Sequence, residues 1–267
     1  MTKNRSIPRI TFFYDKFTDD FVVSAQQDYQ LPQDFRFQRS GPGAAVVGRM
    51  IRAGFWLYGC YYSRLKLHVR FANQQVLRPY RHQGIYLYAN HTQPKGDAFT
   101  PFQLLKTRPF AAIVSPANLG IPVVGKLLPA GGALPIPTDL HQFRQFEQAV
   151  QASIPAKKSV LIYPEGHVWP YYTGIRPLPL AAFHYPVKTP APVFTLTTTY
   201  QDRGSGKKPR ETVFVDGPLL VPTTGSRKER QTILRDAVAA QMERRSRAND
   251  IEYYRYLPRE PEGDEAK

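Results

Sequence analysis

An α/β fold is what this sequence predicts: a single domain with a mixed, mostly parallel sheet flanked by helices, preceded by an N-terminal amphipathic helical segment. Three observations lead there. Short apolar runs bounded by proline or glycine alternate with stretches of helical periodicity. The 267 residues, 42% of them hydrophobic, suffice for one large core. Two of the apolar runs end in polar clusters, and open α/β sheets gather their functional groups at the carboxyl ends of strands. The expected division is residues 1–64 as an N-terminal extension with a membrane-contacting helix, 65–250 as the α/β domain, and 251–267 as a tail.

Each element follows from its own pattern. Residues 1–40 alternate aromatics with charges at no clean period, and no role follows from them. In AAVVGRMIRAGFWLYGCYYSR, residues 44–64, Val47, Ile51, Phe55, Tyr58 and Tyr62 share one helical stripe, with Arg49 and Arg52 off it. That pattern fits a helix lying in a membrane interface, and equally a helix packed on its own domain. LKLHVRFA, 65–72, alternates strictly and predicts a strand. GIYLYANH, 84–91, reads as a buried strand entering a loop, DAFTPFQLL as a helix start, and PFAAIVS, 109–115, as a core strand. ALPIP, 133–137, fits an edge strand. Thr138 or Asp139 is placed to cap a helix over 139–154. KKSVLIYPEG is a buried strand ending in a polar turn, and APVFTLTTTY and ETVFVDGPL are two more strands. Residues 224–248 predict a charged helix with Ile233, Ala237 and Met242 on one side, and PREPEGDEAK a disordered end.

Composition narrows the function. A formal net charge of +15, from 36 Lys and Arg against 21 Asp and Glu, calls for an anionic partner. Nucleic acid is the weakest candidate: no recognition motif is present, and the basic residues of ERQTILRDAVAAQMERR are mixed with acids. Charge alone does not choose between the other two candidates, an anionic membrane face, where each nearby basic residue adds about 1 kcal/mol, and a polyanionic substrate. The lone Cys60 excludes an internal disulfide and fits a reducing compartment. No Cys/His spacing suggests a metal site. The N-terminus does not read as a signal peptide, and no window of eighteen apolar residues occurs. The expected location is therefore cytoplasmic, peripheral on the inner face of the cell membrane.

The sharpest chemical pattern is Asn90-His91 followed six positions later by Asp97. A histidine side chain titrates near neutrality and can take a proton from an alcohol. It needs a carboxylate to fix its tautomer and to stabilise the imidazolium that forms. Pro94 and Gly96 make a loop that lets Asp97 turn back on His91. No nucleophilic serine or cysteine setting lies nearby, so the histidine would activate a substrate hydroxyl without a covalent enzyme intermediate.

Together with YPEG at 163–166, this motif resembles the PlsC-like glycerolipid acyltransferase superfamily. Members of that superfamily carry N-H-x4-D and, some seventy residues later, F-P-E-G. A glycine-led apolar motif lies between the two, and a proline-containing strand follows. Here NHTQPKGD (90–97), GGALPIP (131–137), YPEG and TPAPVF (189–194) stand in that order, across roughly residues 65–217. The resemblance implies an O-acyltransferase with His91 as general base and Asp97 orienting it. It implies a lipid acceptor of glycerol-phosphate or lysophospholipid type and a thioester donor, acyl-CoA or acyl carrier protein, with no bound cofactor. Asn90, Lys95, Gly132, Glu165, Gly166, His167 and Arg176 become candidate substrate-binding residues.

Three departures qualify the resemblance. The His91–Asp97 spacing is one residue longer than the family pattern, and one residue turns a helical side chain by about 100°. The middle motif lacks its arginine: Thr138 and Asp139 follow, and the first arginine is Arg144. After YPEG come His167 and Val168 where a threonine or serine and an arginine are common, with Arg176 ten residues beyond Gly166 as the replacement cation. The longer spacing also admits an alternative, a non-catalytic lipid- or membrane-binding member of the same fold.

Overall fold

A computed structural model describes residues 7–22, 27–204 and 207–259. The chain opens with β1 (Arg9–Phe13) and a long helix, α1 (Pro42–Tyr62), then β2 (Arg70–Ala72), β3 (Ile85–Ala89), α2 (Thr100–Leu105) and β4 (Phe110–Val114). It continues through α3 (Val124–Gly131), β5 (Ala133–Pro135), α4 (Leu140–Ser153), β6 (Ser159–Ile162) and α5 (His184–Lys188). It closes with β7 (Val193–Gln201), β8 (Arg210–Leu219), α6 (Arg227–Ser246) and β9 (Tyr254–Pro258). Seven strands form one sheet in the order β2-β8-β7-β3-β6-β4-β5, parallel throughout except for the antiparallel β7/β8 pair. The expected α/β architecture is observed, with helices on both faces.

Both faces of the central strands are buried, which is why those strands read as unbroken apolar runs. On one face Tyr86, Tyr88, Val160 and Ile162 pack with Phe146 and Val150 of α4 and with Leu234, Val238 and Met242 of α6. On the other, Ile85, Leu87 and Leu161 pack with Phe102 and Leu105 of α2, and with Phe55 and Trp56 of α1 at the margin. The helix ends follow ordinary capping. Asp139 accepts from the N–H groups of His141 and Gln142 at the start of α4, and Ser226 with Glu229 forms a capping box on α6.

Several local expectations fail. The predicted strand over 65–72 is mostly helical: α1 runs on through a widened turn, Ser63–Leu67, and His68 breaks it at φ 53°. Only Arg70–Ala72 is extended. Tertiary packing overrides the alternation, since Leu67 is buried while Leu65 is exposed. Of the stripe expected on α6, Met242 is buried and Ala237 half-buried, but Ile233 points out, and Leu234, Val238 and Gln241 complete the buried face. Residues 254–258, assigned with the tail, form β9, which pairs in parallel with β1 in the register Arg9↔Tyr254. The expected disordered end, 260–267, lies outside the described residues.

The topology places the polar clusters side by side. β3 and β6 are central neighbours in the register Tyr86↔Val160 and Tyr88↔Ile162. Their carboxyl ends coincide, so the loops 90–99 and 163–176 must meet.

Candidate functional site

The loop after β3 begins with a side chain that imitates a strand. Thr198 N–H donates to Asn90 Oδ1 at 2.8 Å, and Asn90 Nδ2 donates to Thr198 O at 3.1 Å. This paired amide ties the loop to β7 in the way a backbone ladder would, and Asn90 is 2% exposed. Asn90 thus anchors the loop from beneath.

Beyond it, His91 Nδ1 lies 2.8 Å from Asp97 Oδ2. The same oxygen accepts from Thr92 N–H and Gln93 N–H, each at 3.0 Å. Three donors converge on one buried carboxylate oxygen, which fixes both the aspartate and the turn. The longer spacing therefore does not separate the pair. Gly96 makes this possible by close approach: a Cβ there would meet Gln93 Cγ at 2.4 Å and Leu67 Cδ1 at 2.8 Å. Its φ is not in the left-handed region, so space rather than backbone freedom demands glycine. With Nδ1 engaged, His91 Nε2 bonds to no protein group among the described residues, and the His91 side chain remains 20% exposed.

Glu165 supports His91 through its backbone. His91 N–H donates to Glu165 Oε2 at 3.0 Å, and Arg176 N–H donates to Oε1 at 2.9 Å. The Arg176 guanidinium also reaches Glu165 Oε2, at 3.4 Å, together with the carbonyls of His167 and Lys16, and lies over the Trp169 ring. Burial lowers Arg176, and the Glu165 carboxylate opposes that shift. Both side chains are inaccessible, so neither presents a face to an acceptor. Arg176 is buried beneath the loop, not available as the substitute cation expected from the sequence.

The second loop also pairs with the first along the main chain. Trp169 N–H donates to His91 O at 3.0 Å, and Tyr171 N–H donates to Thr92 O at 2.8 Å. Trp169 is fully buried among Phe13, Phe21, Tyr172 and Tyr256, so the WPYY run packs against β1 and β9. Gly166 sits at φ 77° with open space around it, a conformation that suits glycine. His167 is half-buried and pairs with Asp20 at 3.2 Å. Lys95 is exposed on the first loop. Gly132, at φ 122°, lies beside Phe110 at the amino ends of β4 and β5, whereas His91 follows the carboxyl end of β3. At the carboxyl end of β5, Asp139 faces its own helix as a cap and Thr138 bonds to Gln30.

Two residues escaped the sequence reading. Tyr163 stacks on the His91 ring, with centroids 4.3 Å apart and planes at 28°, and its hydroxyl donates to Asp97 O at 2.8 Å. Burial, and then the Asp97 charge, hold that phenol well above its usual range. Its place in YPEG was the available signal. Glu211 is buried on β8 and accepts from Gln93 Nε2 at 3.2 Å. Nothing in ETVFVDGPL marked it.

Outside the loops, α1 carries an exposed apolar stripe: Val46, Met50, Leu57 and Tyr61. The helix packs on α3 where Gly48 approaches Ala130 O, and α3 adds exposed Val124 and Leu127, with Val123 just before it. Arg52, read from the sequence as lying on a polar side, turns inward and donates from Nε to Thr107 O at 3.0 Å. The other end of α1 abuts the site, with Tyr58 and Tyr62 against Phe99. No helix among the described residues is long and apolar enough to cross a membrane. Among the same residues, no group of three His, Cys, Asp or Glu side chains is placed to hold a metal ion.

No protein-family model matches the sequence, and no curated protein does. Among solved structures, the chain is similar to the 1-acyl-sn-glycerophosphate (LPA) acyltransferase PlsC from Thermotoga maritima. The TM-score is 0.56 at 14% identity, over 76% of this chain and 82% of that one. The chain has the fold of a PlsC-type acyltransferase.

Proposed function

We propose that this protein is an O-acyltransferase that moves a fatty acyl group from a thioester to the hydroxyl of a glycerol-phosphate or lysophospholipid-like acceptor. One observation carries the reading: the His91–Asp97 bond, which occupies Nδ1 and leaves Nε2 without a protein partner among the described residues, on a side chain still 20% exposed. Nε2 takes the proton of the acceptor hydroxyl as its oxygen attacks the thioester carbonyl. The tetrahedral intermediate collapses, the carbon–sulfur bond breaks, and the imidazolium returns its proton to the sulfur. An ester and a free thiol result. Asp97 stabilises the imidazolium and holds the tautomer.

Glu165 and Arg176 act from below, by fixing the His91 backbone. Lys95 is the exposed cation of the first loop and is assigned to an acceptor phosphate, while Gly166 and His167 of the second loop are assigned to further acceptor contacts. The donor is acyl-CoA or acyl carrier protein. The apolar stripe of α1, with exposed Arg49, Arg64 and Lys66 near it, suits an anionic cytoplasmic membrane face. That stripe also favours a second reading, a lipid-surface binder of the same fold without catalysis.

The test is thiol release from acyl-CoA and from acyl carrier protein, with anionic vesicles and a panel of acceptors: glycerol phosphate, lysophosphatidate, other lysophospholipids and glycolipids. Acceptor-dependent release is expected, falling on the order of 10²- to 10⁴-fold in His91→Ala. Vesicle binding without release from any acceptor would favour the binder.

A further inference from the structure

A second buried acid stands behind the histidine–aspartate pair. Glu211 lies in β8 directly opposite Tyr200 of β7 and is 2% exposed. Gln93, 4% exposed, joins it to the site. The Gln93 side chain donates from Nε2 to Glu211 Oε2 at 3.2 Å, and its backbone N–H donates to Asp97 Oδ2 at 3.0 Å. A single residue thus spans two buried carboxyl groups. Tyr200 braces the same turn, its hydroxyl donating to Thr92 O at 3.1 Å and lying 2.8 Å from Thr92 Oγ1.

We propose that Glu211 is a positioning residue for acyl transfer, holding the loop that carries His91 and Asp97 through the side chain of Gln93. This rests on the acyltransferase reading of the site. The ionisable groups whose charges couple to Glu211 are Asp97 from the loop, Tyr163 from the end of β6, Tyr171 from the second loop, Tyr200 from β7 and Tyr62 from α1. No lysine, arginine or histidine pairs with Glu211 among the described residues. A buried acid in such company stays uncharged. Burial, and then the Asp97 charge, push its carboxyl up to about 8. As the acid it accepts the Gln93 amide without adding charge beside Asp97. Once ionised, it sets a second anion next to Asp97, and repulsion between the two strains the Gln93 turn.

The test uses the full chain with Glu211→Gln, Glu211→Leu and Gln93→Leu. Thiol release is measured across pH 6 to 9.5, alongside the NMR resonance of the His91 Nδ1 proton. Wild type is expected to lose kcat above pH 8. Glu211→Gln, which keeps an acceptor for Gln93 but cannot ionise, should retain neutral-pH kcat and lose that alkaline fall. Glu211→Leu and Gln93→Leu should lower kcat about tenfold with the donor KM little changed, the loss of one buried hydrogen bond. Both should shift the Nδ1 proton resonance. If Glu211→Leu does not fold, Gln93→Leu carries the test. An alkaline fall at the wild-type midpoint in Glu211→Gln overturns the proposal. So does a folded Gln93→Leu with wild-type kcat and resonance. If wild type releases no thiol, the acyltransferase reading fails by itself, and the resonance alone decides whether Glu211 positions the pair.

Discussion

The loops at the carboxyl ends of β3 and β6, and the outer surface of α1 and α3, are built on opposite terms. In the loops, polar atoms find partners inside the protein: Asn90 on Thr198, Asp97 on three donors, Glu165 on His91 and Arg176. On α1 and α3, large apolar side chains stand uncovered, with Met50 at 69% and Leu57 at 62% exposure. A buried polar network specifies one geometry because each missing partner is costly. An exposed apolar stripe specifies nothing within the molecule, and its free energy is realised only against something outside. In the proposed function, the first region holds the reacting groups and the second is the face offered to a membrane. They meet at Phe99, which follows Asp97 by two residues and packs on Tyr58 and Tyr62 of α1.

Breaking the inner region from beneath has the largest expected effect. Arg176→Met leaves Glu165 buried without its cation, and removing one partner of a buried pair costs about 3–5 kcal/mol. The loss should appear as a lower thermal midpoint and as reduced activity in the folded fraction, because Glu165 also holds His91 N–H. An unchanged midpoint would mean that the pair is not what secures the loop. The outer region should respond in the reverse sense. Met50→Glu with Leu57→Glu removes two apolar anchors and adds two negative charges on an exposed face. Stability should change little, since exposed positions away from such networks usually contribute within about 0.5 kcal/mol. Binding to anionic vesicles, followed by co-sedimentation, should fall at least about tenfold, because each apolar anchor contributes on the order of 1–2 kcal/mol when buried. Vesicle binding equal to wild type would show that α1 makes no membrane contact.

The two regions were not equally legible. The sheet was read well where burial on both faces leaves continuous apolar runs, as in IYLYA and SVLI, and where one side chain acts locally, as with Asp139 on α4. The His91–Asp97 contact was legible because both residues lie within one loop. LKLHVRFA misled because period-2 alternation also suits an irregular helix end, where Leu67 turns under the loop and Leu65 faces out. The β1/β9 pair joins residues 245 apart and leaves no local trace. Arg176 and Glu211 were misread or missed for the same reason: whether a charged residue faces solvent or an interior partner depends on strands and loops remote in sequence. Arg176 is held by Glu165 and Lys16, and Glu211 by Gln93.

The smallest expected effect sharpens the comparison most, because it separates packing from hydrogen bonding inside the inner region. Tyr163→Phe keeps the ring that stacks on His91 and deletes only the hydroxyl that donates to Asp97 O. Burial holds that phenol well above its usual range, so it donates throughout the working pH. The motif it belongs to carries phenylalanine in the superfamily this sequence resembles, where the loop is one residue shorter. If the hydroxyl tethers the longer loop, its loss removes one buried bond of about 1 kcal/mol. The expected result is a roughly fivefold lower kcat with the donor KM unchanged. Deleting one residue between His91 and Asp97 in the Tyr163→Phe background should then restore part of the loss. A kcat equal to wild type in Tyr163→Phe would show that Gly96 and the three donors on Asp97 hold the longer loop without help, and that the aromatic face alone matters at this position.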